Sequence, residues 1–235
     1  MEAVNTNYFG IFAAAFVRGK LTDCADLSHA DSELTKTPLV ELTEEQVQRL
    51  IELGKERDLK IHKFKKTMGL QRVQSVLGIL KGLQPSELLD IGTGRGVFLW
   101  PLLDEFPWLS VTCIDLNSLR VRDLNAVRDG GISRLKAIEG DIALLDVQPN
   151  SFDVVTFLEA LEHIPNPQAA LDKAASIARR SLILSVPSHE DDNDEHIHLF
   201  TRDTISSMLL TAGARRGNVQ YVLNHLIAVA NFEPC

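Results

Sequence analysis

The sequence predicts an α/β fold in which a doubly wound, largely parallel sheet carries helices on both faces. From Glu87 onward, apolar segments of strand length alternate with helical stretches, as in successive βαβ units. The first apolar segment runs directly into a glycine-rich turn and then into a helix. The chain closes with two strand-like runs separated only by Asn224 and His225, a connection that permits antiparallel pairing alone.

Each element follows from its local pattern. The predicted parallel strands are short and almost continuously apolar, as expected for strands buried on both faces. They are Glu87–Ile91, Ser110–Leu116, Leu135–Ile138, Phe152–Leu158 and Ser181–Val186. The predicted intervening helices are Val97–Glu105, Ser118–Arg128 and Gln168–Arg179. A last helix from a Thr201 cap to Ala212, ending at Gly213, precedes the strands Val219–Leu223 and Leu226–Ala230.

Length and composition indicate a globular protein that can bury a hydrophobic core. Its 235 residues, of which 45% are hydrophobic, suit one large domain with or without a short appendage. The formal net charge of −8 weakens the case for a broad electrostatic grip on nucleic acid, because phosphate binding depends on Lys and Arg. The sequence makes no prediction of the oligomeric state.

The cysteines and the amino-terminal segment predict a cytoplasmic protein. Cys24, Cys113 and Cys235 are isolated thiols, without the spacing of a disulfide framework or a zinc site. The longest early apolar run, Ile11 to Val17, is too short to span a bilayer. No Lys or Arg precedes it, unlike a secretory signal. We therefore expect no membrane association.

Three zones divide the chain. Residues 1–40 form a predicted amino-terminal arm whose aromatic patch, Tyr8 to Phe16, docks on the main domain. Residues 41–84 form a helical extension, in which Thr43 and Gln46 have the spacing of a capping box. A second helix of this extension is predicted over Lys66–Leu83. Residues 85–235 form the third zone, the main α/β domain.

A basic run crosses the helical extension. Its members are Lys55, Arg57, Lys60, His62, Lys63, Lys65, Lys66 and Arg72. One interpretation is a solvated helical face, which is the common role of such runs. The other is a basic entry surface for an anionic substrate.

The turn after the first strand predicts a nucleotide site. Gly92, Gly94 and Gly96 follow the strand at once, where backbone must bend sharply and approach a ligand closely. Asp115 ends the second strand at the spacing at which a carboxylate meets ribose hydroxyls. Asp141, after Gly140, follows the third strand and suits an adenine amino group. The glycine spacing disfavours a dinucleotide oxidoreductase, and no phosphate-loop motif is present.

With these motifs, residues 85–232 resemble the class I S-adenosylmethionine-dependent methyltransferases. The matching segments are Leu-Leu-Asp-Ile-Gly-Thr-Gly-Arg-Gly, Cys-Ile-Asp-Leu, Gly-Asp-Ile, Phe-Asp-Val-Val and Leu-Glu-His-Ile-Pro-Asn-Pro. The resemblance implies a Rossmann-like, seven-stranded sheet, with the antiparallel hairpin at its carboxyl terminus, that binds S-adenosylmethionine.

The resemblance also implies roles for residues of the turns. The three glycines would pass under the methionine part of the cofactor, and Asp90 would brace their loop. Asp115 would hold the ribose, Asp141 the adenine, and Glu159 would border the methyl-transfer pocket. The other residues of these turns that we expect at the cofactor are Thr93, Leu116 and Ile142.

The segment after the fourth strand holds the candidate catalytic residues, Glu159 and His163. In-line methyl transfer needs a base only where the acceptor atom carries a proton, so no obligatory catalytic residue is expected. The Asn/Asp-Pro-Pro-Tyr/Phe element typical of methylation of amino groups in nucleic acids is absent after the fourth strand. Cytosine C5 methylation needs a cysteine nucleophile, and the one Pro-Cys pair, Pro234-Cys235, lies at the chain end. Both classes are therefore disfavoured. The acceptor stays undetermined, and we expect a small molecule.

The same segment also offers metal ligands. On a helical turn Glu159, Glu162 and His163 would share one face, and carboxylates with imidazoles suit a divalent metal. The pattern, with His196 and Phe200-Thr201-Arg202, resembles metal-dependent small-RNA 3′-terminal 2′-O-methyltransferases. That resemblance implies Glu159, Glu162, His163 and His196 as ligands and RNA as partner. Small-molecule methyltransferases resembling those of quinone biosynthesis also carry Glu-His-(Ile/Val)-Pro and need no metal.

Other residues receive plainer interpretations. His198 is expected to be a wall or lid residue, and His29 and His225 ordinary surface or core histidines. A catalytically silent cofactor-binding module that acts through a partner is a further alternative. Its mark would be a pocket plugged by the amino-terminal arm.

Overall fold

The computed structural model describes residues 8–66, 69–190 and 192–232. Seven strands form one sheet in the order β3-β2-β1-β4-β5-β7-β6. The strands are β1 Glu87–Ile91, β2 Ser110–Asp115, β3 Leu135–Glu139, β4 Phe152–Leu158, β5 Ala178–Pro187, β6 Arg216–Val222 and β7 His225–Asn231. All neighbours pair in parallel except β7, which lies antiparallel between β5 and β6. The predicted fold class is confirmed.

Eight α-helices surround this sheet within the described residues. They are α1 Gly10–Leu21, α2 His29–Lys36, α3 Glu44–Glu56, α4 Gln71–Leu83, α5 Leu99–Glu105, α6 Ser118–Asp129, α7 Pro167–Ile177 and α8 Arg202–Thr211. Short 3-10 turns are Leu39–Glu41, Ile61–Phe64 and Leu161–His163. Buried side chains of α1 and α3 to α6 form one core, and those of α7 and α8 form the other. The sheet is thus covered on both faces. No helix among the described residues has the length and apolarity to cross a membrane.

Several predicted boundaries are wrong by a few residues. Helix α4 begins at Gln71 rather than Lys66, because the chain forms a 3-10 turn at 61–64 and is extended at Leu70. Thr67 and Met68, within the predicted helix, lie outside the described residues. Helix α7 ends at Ile177, so strand β5 starts three residues before the predicted Ser181, where Ala178 pairs with Phe152 of β4.

The predicted caps are present. Thr43 and Gln46 form a full capping box at the start of α3, with the Gln46 amide N–H 3.3 Å from the Thr43 hydroxyl. The Thr201 hydroxyl accepts from the Thr204 N–H at the start of α8.

The amino-terminal segment is packed into the core. The ring of Phe12 lies 5.9 Å from that of Trp100, and Phe64 lies 4.7 Å from the same indole. Helix α1 also crosses α6 at very short range, because a Cβ built on Gly19 would lie 1.9 Å from the Ala126 carbonyl oxygen. Backbone-to-backbone contact of this kind requires glycine. Helix α1 therefore forms part of the layer that covers β1 to β3.

Strand order places the ligand edge of the sheet. The chain leaves β1 toward β2 and β3, then returns to β4 on the other side of β1. The carboxyl ends of β1 and β4 consequently flank the point where strand order reverses, which is where open α/β sheets bind ligands.

Candidate active site

The turn after β1 requires its glycines. Gly92, Gly94 and Gly96 have φ angles of 74°, 60° and 82°. A Cβ at Gly92 would meet the Ala160 methyl at 2.6 Å, whereas a Cβ at Gly94 would have no atom nearer than 3.8 Å. The backbone of Gly94 therefore faces open space with no side chain in the way, so a ligand can approach it closely. Gly96 is required for packing and not for ligand approach, because a Cβ there would lie 2.5 Å from the Trp100 ring.

Asp115 connects the first two turns. Its Oδ2 accepts from the Gly94 N–H at 2.9 Å, and its Oδ1 accepts from the Asn117 N–H at 2.9 Å. Arg120 approaches the same carboxylate at 3.5 Å. The residue is buried at 6% exposure and so holds a fixed orientation. A carboxylate fixed beside a bare loop suits a vicinal diol such as ribose.

The three predicted turns line one cavity of about 560 Å³. The predicted site residues in its wall are Gly92, Gly94, Asp115, Leu116, Asp141, Ile142, Glu159 and His163. Gly96, Thr93 and Asp90 do not line it, although all three were predicted at the cofactor: Thr93 and Asp90 border a smaller cavity of about 170 Å³. The two cavities share Gly92, Gly94 and Glu159.

Asp90 lies beneath the glycine turn and bonds to strand β4. The Thr156 hydroxyl donates to its Oδ1 at 2.7 Å. Burial raises the pKa of Asp90 to about 6, against the opposing effect of its hydrogen bonds from Thr156 and Thr93. Through these two hydrogen bonds the Asp90 carboxyl group links the glycine turn, at Thr93, to strand β4, at Thr156.

Glu159 stands between the two cavities in a left-handed conformation, with φ 51°. Its Oε1 accepts from the Ser185 hydroxyl at 2.6 Å, and its Oε2 lies 3.0 Å from His225 Nε2. Arg72 of α4 lies 3.8 Å from the same oxygen. A non-glycine residue with positive φ costs strain and commonly marks a functional position. Two hydrogen-bond donors hold this carboxylate at the junction.

The expected common face of Glu159, Glu162 and His163 is wrong. The positive φ at Glu159 turns the chain before the 3-10 turn Leu161–His163 begins, so Glu159 faces Ser185 and His225 instead. Of the four residues predicted as metal ligands, the structure brings Glu162, His163 and His196 together, with ligand atoms within 4.8 Å of one another. Glu159 does not belong to this group.

The turn that carries these residues is bonded to the loop after β5. His163 Nδ1 lies 2.9 Å from the Glu195 carbonyl oxygen, and because a carbonyl only accepts, Nδ1 donates this hydrogen bond. The Glu162 carbonyl accepts from the Ile197 N–H, and His198 Nε2 lies 3.0 Å from the Ile164 carbonyl. His198 thus joins the loop after β5 to the end of the 3-10 turn, and its interpretation as a wall or lid residue stays a prediction.

His225 was interpreted as an ordinary surface or core residue, and its contact with Glu159 corrects that. It opens β7, opposite Pro187 of β5, and this pairing brings it to the end of β4. Burial lowers the pKa of His225, while Glu159 opposes that effect. No local pattern in the sequence marks this histidine, because the contact depends on the register of the hairpin.

Arg95 and Ser185 border the smaller cavity and were likewise not predicted as site residues. Arg72, which also borders it, was predicted only as a member of the basic run. Arg95 could have been singled out, because it is the charged residue between Gly94 and Gly96 of the glycine turn.

Several members of the basic run have partners in the amino-terminal segment or in α6. Arg57 pairs with Asp26 at 2.8 Å, and Lys63 pairs with Asp123, which also holds Lys20 at 2.9 Å. Lys55 and Lys66 lie over the rings of Tyr8 and Phe9. Lys60, His62 and Lys65 are exposed and have no such contact among the described residues.

The strand order and the glycine turn are those of the class I S-adenosylmethionine-dependent methyltransferases, and the resemblance drawn from the motifs is confirmed. A family model described as a methyltransferase domain matches residues 64–215. The chain belongs to this family of methyltransferase domains.

Similar proteins carry related names. A ubiquinone biosynthesis O-methyltransferase of Idiomarina loihiensis is 38% identical over 96 residues, which is 40% of this chain and 38% of that protein. A malonyl-[acyl-carrier protein] O-methyltransferase of Geobacter sulfurreducens is 26% identical over 172 residues, or 62% of this chain and 61% of that protein. The chain thus matches less than two thirds of the length of these relatives.

Two solved structures show the same fold. The methyltransferase domain of bacterial CtHen1-C has a TM-score of 0.59 at 17% identity, covering 70% of this chain and 98% of that one. The amino-terminal domain of EvdMO1 with SAH bound has a TM-score of 0.55 at 16% identity, covering 68% and 81% of the two chains.

Proposed function

We propose that this protein is an S-adenosylmethionine-dependent methyltransferase that transfers a methyl group to an oxygen atom of a small-molecule acceptor. One observation carries the proposal: the three predicted turns and Glu159 line a single cavity of about 560 Å³ at the reversal of strand order. The relatives named O-methyltransferase support oxygen as the acceptor atom.

The cavity offers a separate partner for each part of the cofactor. Gly92 and Gly94 provide bare backbone for the amino-acid part, and Asp115 provides a fixed carboxylate for the ribose hydroxyls. Asp141 is exposed within the same wall and suits an amino group, while Ile142 offers an apolar surface for the purine. When bound, S-adenosylmethionine supplies an activated methyl group on a positively charged sulfur.

Glu159 is placed to act on the acceptor. It borders both the large cavity and the smaller one, so it lies between the cofactor side and the acceptor side. Its carboxylate accepts hydrogen bonds from Ser185 and contacts His225, which fixes the carboxylate direction. In that place it accepts the proton of an acceptor hydroxyl, and His163 is a second candidate base in the wall of the large cavity.

Calorimetry with S-adenosylhomocysteine tests the cofactor site. We expect the protein to bind it, and Asp115→Ala to weaken binding at least about tenfold, because a charged ribose contact is lost. Asp115 also holds two backbone N–H groups, so Asp141→Ala, whose side chain is exposed, serves as a second variant. Asp104→Ala, exposed on α5, is the matched control. Absence of binding by the folded protein would overturn the proposal.

A second candidate function is methylation of an RNA 3′-terminal 2′-hydroxyl with a divalent metal. One observation favours it: Glu162, His163 and His196 place one carboxylate oxygen and two imidazole nitrogens within 4.8 Å of one another. This donor set suits Mn²⁺, Fe²⁺ or Zn²⁺. Glu162, His163 and His196 would hold the ion, which would supply a Lewis acid.

Titration with Mn²⁺ separates the two candidates. The metal-dependent candidate requires binding that is lost in His196→Ala and unchanged in His29→Ala, together with Mn²⁺-dependent transfer to a short RNA. If calorimetry detects no Mn²⁺ binding with or without S-adenosylhomocysteine, that candidate is removed and the first one stands.

A silent cofactor-binding module is the third candidate. None of the described residues 8–40 lines the large cavity, so the plug expected of such a module has no support in that part of the chain. Turnover of labelled S-adenosylmethionine with a panel of hydroxylated acceptors distinguishes an enzyme from a binding module.

We also propose a cytoplasmic location. The thiols of Cys24 and Cys113 are free, as suits a reducing compartment.

A further inference from the structure

Three cavities meet at one side chain of the glycine turn. Arg95 lines the cavity beside Glu159, of about 170 Å³, and two neighbours of about 280 and 210 Å³. The two neighbours also share His62, Lys63 and Trp100. We call the joined space lined by Lys60, His62, Lys63, Lys65, Arg95 and Trp100 the basic cleft.

The charges in this cleft are not balanced. Arg95, Lys60 and Lys65 form no ion pair with any described residue, and all three are exposed. The carboxylate that lines the cleft is Asp123, and it is already shared by Lys20 and Lys63. The cleft is therefore strongly positive in a chain whose net charge is −8. Such local excess of one sign concentrates ligands of the other sign.

The surroundings of Lys63 are electrostatically crowded. Burial lowers the pKa of Lys63, and the charges of Lys20 and Lys60 lower it further, while Asp123 opposes them. An anion in the cleft would relieve this repulsion between like charges.

We propose that the basic cleft binds an anionic group, a carboxylate or a phosphate, of the methyl acceptor. The inference rests on the proposed function and names the class of acceptor. A guanidinium pairs with either group through two parallel hydrogen bonds, and Arg95 is the cation that also borders Glu159 in the smaller cavity. The acceptor is thus held by its charge in the cleft while its hydroxyl lies toward Glu159.

A fluorescence titration reads this cleft directly. The chain has two tryptophans: Trp100 lines the cleft, and Trp108 is 56% exposed and lines none of the three cavities. In a Trp108→Phe background, inorganic phosphate and succinate are titrated at constant ionic strength with chloride as the balancing anion. Constant ionic strength matters because screening alone alters the signal.

We expect a saturable change in Trp100 emission with at least one of the two anions. Arg95→Ala and Lys60→Ala should each weaken that binding about tenfold, which corresponds to the loss of one charged contact. The matched control is Arg122→Ala, because Arg122 is exposed on α6 and lines none of the three cavities. Its dissociation constant should stay within about twofold of the parent.

The outcomes decide the proposal separately from the proposed function. No saturation with either anion, or equal binding by Arg95→Ala and its parent, overturns it even where S-adenosylhomocysteine still binds. Preference for succinate over phosphate supports an acceptor carboxylate, and the reverse preference supports a phosphate ester. Binding of a decauridylate with a steep salt dependence, and of neither small anion, overturns it in favour of RNA.

Discussion

At the residue scale, Glu159 differs most from its sequence interpretation. The spacing Glu-x-x-Glu-His predicted one shared helical face, but a single positive φ sends Glu159 to Ser185 and His225 while Glu162 and His163 turn toward His196. The sequence is enough to single out these residues as candidates. Their partition into two groups could not be predicted, because it depends on one backbone angle and on the distant strand β7.

Glu159→Gln is expected to lower methyl transfer by about a hundredfold or more, since glutamine keeps the volume but cannot take a proton. Affinity for S-adenosylhomocysteine should fall less than about tenfold. Initial rates with an acceptor that the parent protein methylates measure the first quantity, and calorimetry measures the second. Glu139→Gln, at the exposed end of β3, is the control. Equal rates for Glu159→Gln and its parent would remove Glu159 from the reaction.

We expect His225 to act through Glu159 as a positioning residue. His225→Ala removes the contact at 3.0 Å, and we expect the rate to fall about tenfold with little change in cofactor affinity. His225→Gln retains a donor and should recover most of the rate, whereas a purely structural defect would not distinguish the two substitutions. The kcat and the KM for the acceptor are measured for both variants.

The raised pKa of Asp90 makes stability depend on pH. Between its unfolded value near 3.8 and its folded value of about 6, the folded protein holds a proton that the unfolded chain has lost. The contribution of Asp90 to the free energy of unfolding therefore falls as pH rises through this window, by up to about 3 kcal/mol.

Urea unfolding from pH 4 to 7 measures this dependence. Asp90→Asn should remove that part of the slope, and Asp104→Asn should leave it unchanged. An unaltered slope in Asp90→Asn would show that other groups produce it.

At the element scale, the periodicities predicted the strands closely. Strands β1 and β4 have the predicted bounds, because continuous apolar runs flanked by turn residues leave little choice. The boundary between α7 and β5 was predicted less well. The run Ala178-Arg179-Arg180 suits either element, and only its pairing beside Phe152 decides for the strand.

The contact between α1 and α6 was not predictable from either helix alone. Read in sequence alone, Gly19 within α1 and Gly130 at the end of α6 would only lower helix propensity. In the structure each lies against a backbone carbonyl of the other segment. Glycine here is required by close packing and not by a turn.

Gly19→Ala should destabilise the protein by about 3 kcal/mol or more, since its methyl group would overlap the Ala126 carbonyl oxygen. Gly78→Ala is the matched control, because it lies within α4 and its methyl group would meet nothing within 4 Å. That substitution should stabilise by about 0.5–1 kcal/mol through helix propensity. Urea midpoints at unchanged m-value measure both effects. Equal effects of the two substitutions would contradict the close packing.

At the scale of the whole molecule, topology predicted that the three turns meet at one edge of the sheet, and the structure brings them together there. Parallel strands put their carboxyl ends on one edge, so the three turns were expected to meet there, and the large cavity lies at that edge. Docking of the aromatic patch was expected, but its partners could not be predicted, because packing of α1 on α6 and of Phe12 on Trp100 joins distant parts of the chain.

The division into an arm, an extension and a main domain stays a prediction. Truncation tests a separate point, whether the part of the chain that matches the family folds without the residues before it. A fragment that begins at residue 64, where the family match begins, would lack α1 and α3 and expose the Trp100 face. We expect it to lose near-ultraviolet circular dichroism and to bind a hydrophobic dye, unlike the full chain. Cooperative unfolding of the fragment with retained cofactor binding would contradict this expectation.

The basic cleft is lined by residues from two parts of the chain, one before the family match and one inside it. Lys60 and His62 precede the family match, whereas Arg95 lies inside it. The proposal for the basic cleft therefore predicts that relatives with the same glycine turn but a different leading segment differ in the charge of the acceptors they prefer.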